Sequence, residues 1–250
     1  MLKHIICSIT SLRTISLSLF IICVCAIFSR CNQILSSDND NQNSETASNA
    51  SIKRTEKYNV FEFNPKEIRM GVSLRKPKKA DFYMNSNFFN KKPIGLVVIK
   101  GRRSQSRVKG GGYFYVIDGL PKIQAKDCPK RTEYASQTVL WGIDNGQVNQ
   151  DLFKEKHAKT KEFRSIIGTK EDGNFILIAS NENSQVTIEE ITNYALTLGM
   201  YEGILFDGGS SLDYKLSTDS DTEICQPISS LVKSIGDKHE PMVYIYGNFR

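Results

Sequence analysis

The sequence predicts an α+β fold, a single domain with a mostly antiparallel sheet and one helix packed against it. Two observations lead to this expectation. Short apolar runs alternate with turn residues along most of the chain, and such close spacing favours hairpins over the long crossovers of a parallel sheet. One segment, beginning at Thr187, instead has the spacing of an amphipathic helix.

Three turn dipeptides mark the clearest hairpins. Asp118-Gly119 separates "GYFYVI" from "LPKIQ", Asn145-Gly146 follows "VLWGID", and Asp172-Gly173 lies between "RSIIGTK" and "FILIAS". Asn-Gly and Asp-Gly pairs tolerate the positive φ angles that tight hairpin turns require. Four other apolar runs are predicted to be strands: "YNVFEFN", "ADFYMNSNFF", "IGLVVIKG" and "MVYIYGNF".

The predicted helix is "TIEEITNYALTLG". Thr187 and Glu190 have the T-x-x-E spacing of a capping box, in which each side chain binds the backbone N–H of the other residue. Apolar side chains then recur on one face, and Gly199 supplies the stop. The helix runs almost directly into the apolar strand that precedes Asp207.

Composition divides the chain into three regions. Residues 1–31 are predicted to be a signal peptide or a membrane or lipoprotein anchor, because residues 5–28 are almost uncharged and strongly apolar. The stretch "IFSRC" is similar to a lipoprotein cleavage box, in which Cys31 would carry the lipid. Arg30, however, occupies the position where such a box has a small residue. Residues 32–57 are predicted to be a disordered polar stalk, and residues 58–250 the folded domain. We therefore expect an exported, membrane-anchored protein of the cell envelope, periplasmic or extracellular.

The charge distribution limits the classes of binding partner, and the cysteine content suggests one disulfide. The formal net charge is +6, and part of the excess lies in "KGRRSQSRVKGGG", residues 100–112. This run is either a solvated loop or a surface that attracts an anionic substrate. No recognition helix or aromatic-basic platform accompanies it, so nucleic acid is not an expected partner. In an exported domain, Cys128 and Cys225 are expected to pair if they lie close together.

The stretch "GILFDGGSSLDYK" carries the candidate chemistry. An apolar strand delivers Asp207 to a loop in which Gly208 and Gly209 can point backbone N–H groups into a concavity, while Ser210 and Ser211 add hydroxyl groups. Such a nest suits a phosphate or a developing oxyanion, with an arginine to neutralise the charge. The simpler interpretation is a strand followed by an ordinary turn.

Three blocks in the same order resemble the phosphodiester glycosidase family. They are "MNSNFFNKKPIGLVVIKG", "EFRSIIGTKEDGNFILIAS" and "TIEEITNYALTLGMYEGILFDGGSSLDY". The resemblance covers residues 58 to 250. It implies hydrolysis of the bond between an anomeric sugar carbon and a phosphate ester, in a phosphate-linked glycan or a sugar phosphodiester.

The resemblance also implies which residues act, namely Asn85, Arg164, Asp207, Gly208, Gly209 and Ser210. Asp207 and Arg164 would be catalytic: the carboxylate serves as nucleophile, base or electrostatic stabiliser, and the guanidinium fork matches phosphate oxygens. Asn85 and Gly208–Ser211 would bind substrate. Arg164 could instead pair a carboxylate across strands, and Asn85 could cap a turn. No certain cofactor is implied, and the sequence leaves open whether a divalent metal assists.

Two departures from the family pattern motivate an alternative function. Ser86 and Asn87 follow Asn85, where the family usually has glycine, and Ser210 stands where it often has a third glycine. A chain with these changes could be a surface-anchored, non-catalytic module that binds anionic glycan or sugar phosphate. The basic run around Arg102, Arg103 and Arg107 would then be the binding surface.

Overall fold

The computed structural model describes residues 50–90, 92–125, 130–218, 223–226 and 243–250. By its contacts the chain divides into residues 1–46 and residues 47–250, and all described residues lie in the second unit. The predicted export segment and most of the predicted stalk are outside the described residues, as is Cys128. Within the described part, no helix is both long enough and apolar enough to cross a bilayer.

Most described residues are in short strands. In chain order these are β1 (Ser51–Arg54), β2 (Tyr58–Phe63), β3 (Ile68–Ser73), β4 (Phe82–Asn85), β5 (Phe89–Asn90), β6 (Lys92–Pro93), β7 (Val97–Ile99), β8 (Arg102–Gln105), β9 (Gly112–Ile117), β10 (Leu120–Gln124), β11 (Tyr134–Thr138), β12 (Leu140–Asp144), β13 (Gln147–Val148), β14 (Ser165–Lys170), β15 (Phe175–Ser180), β16 (Met200–Leu205), β17 (Tyr214–Ser217), β18 (Glu223–Gln226) and β19 (Tyr244–Phe249). The α-helix, α1, spans Ile188–Thr197, and 3₁₀ helices span Gln150–Lys154, Lys156–Lys159 and Gly209–Ser211.

The described strands form three main sheets. A seven-stranded sheet has the order β1-β2-β15-β14-β16-β12-β13, and two five-stranded sheets have the orders β10-β9-β11-β7-β8 and β18-β17-β4-β19-β3. Strands β5 and β6 form a separate ribbon. Neighbouring strands pair antiparallel throughout this described part, for example β14 with β15 and with β16.

One apolar core joins the three sheets. It contains side chains from the seven-stranded sheet, such as Phe61 and Ile204, together with Phe82 and Phe114 from the other two. A second cluster lies on the opposite face of the seven-stranded sheet, where Ile191 and other helix residues cover it. The central strands of this sheet are therefore buried on both faces, which explains the continuous apolar runs in β15 and at the end of β16.

The predicted α+β class is wrong. The described residues build three antiparallel sheets with a single α-helix, so the protein is closer to an all-β fold than to one sheet with a packed helix. The error has a physical cause. Turn residues identify which strands form hairpins, but the sheet to which each hairpin belongs depends on partners distant in sequence.

The local elements agree with their sequence signals. Thr187 Oγ1 accepts from the Glu190 N–H at 3.0 Å, and a Glu190 carboxylate oxygen accepts from the Thr187 N–H at 2.7 Å, so the capping box is confirmed. Gly199, predicted to stop the helix, has φ +82°. Asn145 and Gly146 both have positive φ in the β12–β13 turn, as the hairpin prediction requires.

One strand begins earlier than the predicted domain. Ser51–Arg54 lie within the stretch interpreted from composition as a stalk, yet they form β1 and pair along their whole length with β2. Ile52 packs against the shared core. The sheet edge therefore extends into the polar stretch.

Candidate active site

The topology of the seven-stranded sheet brings together two residues far apart in sequence. Strand β16 ends at Leu205, and its antiparallel neighbour β14 begins at Ser165, with Ile166 opposite Leu205. Arg164, just before β14, therefore lies at the same end of the sheet as Asp207, just after β16. The Phe206 N–H donates to the Ser165 carbonyl at 3.2 Å and holds the two chain segments side by side.

Asp207 is a largely buried carboxyl group with a raised pKa. Burial raises its pKa from the ordinary value of 3.8 to about 7. Hydrogen bonds from the Ser211 hydroxyl and the Gly208 N–H, and the charge of Arg164, act in the opposite direction. A pKa of about 7 leaves part of the group ionised at neutral pH, and the ionised form is the one that acts as general base or nucleophile.

The Gly-Gly-Ser-Ser loop is folded tightly against Phe163, in the segment that leads into β14. A Cβ on Gly208 would lie 2.3 Å from the Phe163 carbonyl oxygen, so glycine is needed there for steric reasons. Gly209 has φ +62°, and its N–H donates to the same carbonyl at 2.7 Å. The loop owes its shape to these two glycines.

This folding occupies much of the nest that the sequence predicts for a phosphate. The Gly208 N–H and the Ser211 hydroxyl bind the Asp207 carboxylate, while the Gly209 N–H binds Phe163. The Ser211 N–H donates to the Gly208 carbonyl at 3.2 Å. Ser210 is exposed. In this structure the loop mainly positions Asp207 instead of presenting a ring of donors to a ligand.

Arg164 is buried, with 9 % of its surface exposed. Its Nη2 donates to the carbonyls of His157 at 2.9 Å and Thr160 at 3.1 Å, while its Nε is buried with no hydrogen-bond partner in the described structure. Burial lowers the pKa of Arg164, and the charges of Glu162 and Asp207 oppose this effect, so the guanidinium stays positive at neutral pH. A buried cation with an unused donor beside an acid is suited to bind an anion.

The amide nitrogen and the amide oxygen of Asn85 both form hydrogen bonds with backbone groups. Its Nδ2 donates to the Asp207 carbonyl at 3.2 Å, and its Oδ1 accepts from the Asp213 N–H at 2.9 Å. It is 1 % exposed. Asn85 therefore ties the two ends of the site loop to the end of β4.

Sequence reasoning missed a buried carboxylate beside this tie. Asp213 is fully buried and accepts from Lys76 Nζ at 2.8 Å and from the Tyr244 hydroxyl at 2.9 Å. Burial alone would lower the pKa of Lys76, but the hydrogen bond to Asp213 raises it. Asp213 follows Asp207 by six positions and directly precedes β17, but only its partners, distant in sequence, reveal that it is a buried ion-pair carboxylate.

The two residues that depart from the family pattern face inward. Ser86 and Asn87 are almost completely buried, and both side chains bind Ser136 on β11. Asn87 Nδ2 also donates to the Gln137 carbonyl at 2.6 Å, and the Ser86 carbonyl accepts from the Asp207 N–H at 2.9 Å. Through these buried hydrogen bonds, Ser86 and Asn87 hold the backbone of the site in place.

No metal-binding cluster is present among the residues that the structure describes, because no three His, Cys, Asp or Glu side chains lie close enough to share an ion.

A carboxyl group of raised pKa lies next to a buried arginine at the strand ends of an antiparallel β fold, an arrangement suited to hydrolytic chemistry. The chain belongs to the phosphodiester glycosidase family, whose model matches residues 78–230. The resemblance inferred from the sequence is thereby confirmed. No curated protein sequence matches the chain.

Solved structures share the fold at low sequence identity. The chain is similar to the zebrafish N-acetylglucosamine-1-phosphodiester alpha-N-acetylglucosaminidase catalytic domain auto-inhibited by its pro-peptide, with 14% identity and a TM-score of 0.58, over 84% of this chain and 86% of that one. It is also similar to a hypothetical protein from Synechocystis, with 14% identity and a TM-score of 0.52, over 80% of this chain and 61% of that one. Likenesses at this identity establish the fold alone.

Proposed function

We propose that this protein hydrolyses the bond between the anomeric carbon of a sugar and the phosphate of a phosphodiester. One observation carries the proposal: Asp207, with a pKa near 7, lies beside Arg164, a buried cation whose Nε has no partner. A sugar-1-phosphodiester has an electrophilic carbon for the acid and a negative charge for the arginine. Membership of the phosphodiester glycosidase family supports the same reaction.

The reaction needs little acid catalysis at the leaving group. Water adds to the anomeric carbon, and the bond between this carbon and the bridging phosphate oxygen breaks. The electron pair of that bond stays on the oxygen of the departing phosphate monoester. This monoester is a weak base, so the strong protonation required by ordinary glycosides is less important. Asp207 acts in its ionised form, as nucleophile or as the base that takes the proton from water. Arg164 Nε donates to a phosphate oxygen and stabilises the charge that gathers there.

The loop after Asp207 has a positioning function in this scheme. Gly208 and Ser211 direct hydrogen bonds at the carboxylate, and they favour its ionised form against the effect of burial. Asn85 holds the Asp207 backbone from the other side. A carboxylate fixed in this way needs little reorganisation on reaching the transition state.

The decisive experiment measures release of reducing sugar from a panel of sugar-1-phosphodiesters by the full chain and by Asp207→Asn. We expect the substitution to keep the fold and to lower kcat by roughly two to four orders of magnitude, the range for loss of a general base. Asp118→Asn is the matched control. Asp118 lies in the β9–β10 turn with φ 52°, which asparagine also adopts, and we expect full activity.

Two outcomes would argue against the proposal. If Asp207→Asn cleaves a verified substrate at the normal rate, the carboxylate is structural. If the parent protein binds members of the panel but releases no sugar, the non-catalytic glycan-binding module becomes the better description.

We also propose that the protein is exported and held at the membrane by residues 1–31, on the basis of their apolar composition. Cell fractionation tests the location, and Cys31→Ser tests lipidation. Recovery of the unaltered protein in the cytosol would contradict the first proposal. Unchanged membrane attachment of Cys31→Ser would leave the apolar segment as the anchor and reject lipidation.

A further inference from the structure

Residues 100–112, called the basic loop below, form a strongly cationic surface. This segment has five basic side chains and no acidic one. All five are exposed: Lys100, Arg102, Arg103, Arg107 and Lys109. Two of them lie on β8, the edge strand of its sheet. Nothing in the reaction at Asp207 uses these charges.

The basic loop is held in one position by a buried side chain. Gln137 Nε2 donates to the carbonyls of Val108 at 2.9 Å and Gly110 at 2.7 Å, and its Oε1 accepts from the N–H groups of Val108 at 3.1 Å and Leu96 at 2.9 Å. All four hydrogen bonds that an amide side chain can make are thus formed. Gly111, with φ +78°, lets the loop backbone pass so close to β11 that a Cβ would meet the Thr138 carbonyl at 1.8 Å.

The same polar network continues to the active site. The Gln137 carbonyl accepts from Asn87, the neighbouring Ser86 carbonyl accepts from the Asp207 N–H, and Thr138 Oγ1 donates to the Leu205 carbonyl two residues before Asp207. These hydrogen bonds link the backbone at Val108 and Gly110 to the backbone of Asp207 through Gln137, Asn87 and Ser86. The loop and the acid therefore belong to one rigid frame.

We propose that the basic loop is a second phosphate-binding subsite, and that the substrate is a glycan polymer with a phosphodiester in each repeat. The inference rests on the proposed function. A single sugar phosphodiester offers one phosphate, which Arg164 binds at the point of cleavage. A polymer carries further phosphates beyond the point of cleavage, and five exposed cations raise its local concentration by long-range attraction.

The chemistry of the loop favours this occupant over other polyanions. The basic loop has no aromatic residue on which a nucleic-acid base could stack. Among the described residues, the exposed large hydrophobic side chain is that of Leu120, which lies outside the basic loop. The loop therefore has no large exposed apolar side chain that could enter a lipid surface.

The test compares substrates of one repeat and of about eight repeats, made from the same sugar-1-phosphate unit. The full chain is assayed beside the triple variant Arg102→Gln, Arg103→Gln, Lys109→Gln, which spares the contact of Arg107 with the Tyr113 ring. In the triple variant, we expect kcat/KM to fall relative to the parent by roughly tenfold more for the eight-repeat substrate than for the single repeat. This factor is the lower end of electrostatic steering effects. Added salt should reduce the advantage of the long substrate in the parent protein.

The control removes equal charge elsewhere. Lys66→Gln, Arg69→Gln, Lys122→Gln changes three exposed residues outside the basic loop, and we expect the same ratio of the two kcat/KM values as in the parent. If the loop variant and the control give equal ratios, the inference is overturned while the proposed hydrolysis stands.

A binding measurement decides the inference independently of turnover. Fluorescence anisotropy with a labelled eight-repeat oligomer should show weaker binding by the loop variant than by the parent. Equal binding by both proteins would overturn the inference. So would tighter binding of the parent to anionic vesicles or single-stranded DNA than to the oligomer. Failure to cleave either length, with binding preserved, would instead reject the proposed hydrolysis.

Discussion

At the scale of single residues, the acidity of Asp207 is the property most open to measurement. Its pKa of about 7 results mainly from burial, against the hydrogen bonds of Ser211 and Gly208 and the charge of Arg164. An aspartate in the unfolded chain has the ordinary value of 3.8. The folded protein therefore binds an extra proton between these two pH values.

This proton makes stability depend on pH in a defined direction. Because the pKa of Asp207 is higher in the folded protein, its protonation contributes to the free energy of unfolding. This contribution is complete below about pH 4 and is lost as the pH rises through about 7, and the total loss is up to about 4 kcal/mol. Asparagine does not titrate, so Asp207→Asn should gain stability relative to the parent between pH 5 and pH 8. Urea unfolding at the two pH values measures the difference. The same pH dependence in both proteins would show that Asp207 has a normal acidity.

A second prediction at this scale concerns the shape of the cation. Arg164→Lys keeps the charge but has all its donors on one nitrogen, so it cannot occupy the separate positions of Nη2, which binds His157 and Thr160, and of Nε. We expect substrate binding to weaken by roughly 1–3 kcal/mol, the scale of a charge-assisted hydrogen bond. The measurement is inhibition by a phosphate monoester, the leaving product. Arg69→Lys, at an exposed position, is the control, and an unchanged inhibition constant for Arg164→Lys would mean that Arg164 is structural.

At the scale of elements, helix α1 covers the outer face of the sheet that carries the site. Its start depends on reciprocal bonds between Thr187 and Glu190. Thr187→Ala should lower the free energy of unfolding by about 1 kcal/mol, because one backbone N–H loses its acceptor. Denaturant unfolding measures this change. Asn193→Ala, at an exposed position in the middle of the helix, should leave stability equal or slightly higher. Equal effects of the two substitutions would show that the cap contributes nothing.

The strand ends are the elements that build the site. Asn85 ends β4, Arg164 precedes β14, and Asp207 follows β16. Each side chain is fixed because the strand behind it is packed on both faces. The register between β14 and β16 determines which residues meet at this end of the sheet, so a one-residue slip would separate Arg164 from Asp207.

At the scale of the whole molecule, three sheets share one core, and the seven-stranded sheet extends into the polar N-terminal stretch. A fragment of residues 50–250 retains β1, whereas a fragment of residues 57–250 loses it. We expect the shorter fragment to be less stable by about 1–2 kcal/mol, because Ile52 no longer covers the core and β2 becomes an open edge. Thermal unfolding of both fragments measures this. Equal melting temperatures would place the boundary of the domain at residue 58, as composition alone suggests.

Sequence alone determined the features that depend on neighbours along the chain. The capping box of α1, the glycine at its end and the Asp-Gly and Asn-Gly turns were all recognisable, because their hydrogen bonds and φ angles involve residues a few positions apart. Asp207 stood out for a similar reason, since an apolar strand leads directly into it. The three ordered blocks were sufficient to identify the family, which the match over residues 78–230 confirms.

Tertiary structure decided everything that depends on distant partners. Asn85 binds the Asp207 carbonyl across 122 positions, and Asp213 pairs with Lys76 across 137, so no local pattern could reveal that the amide is a tie or that the second carboxylate is buried. The division of the strands into three sheets was likewise invisible, and the predicted fold class was wrong for that reason. Local hydrogen bonds and turns leave a recognisable pattern in a short sequence window. The choice of long-range partner is made by the packing of the whole core, which no short window contains.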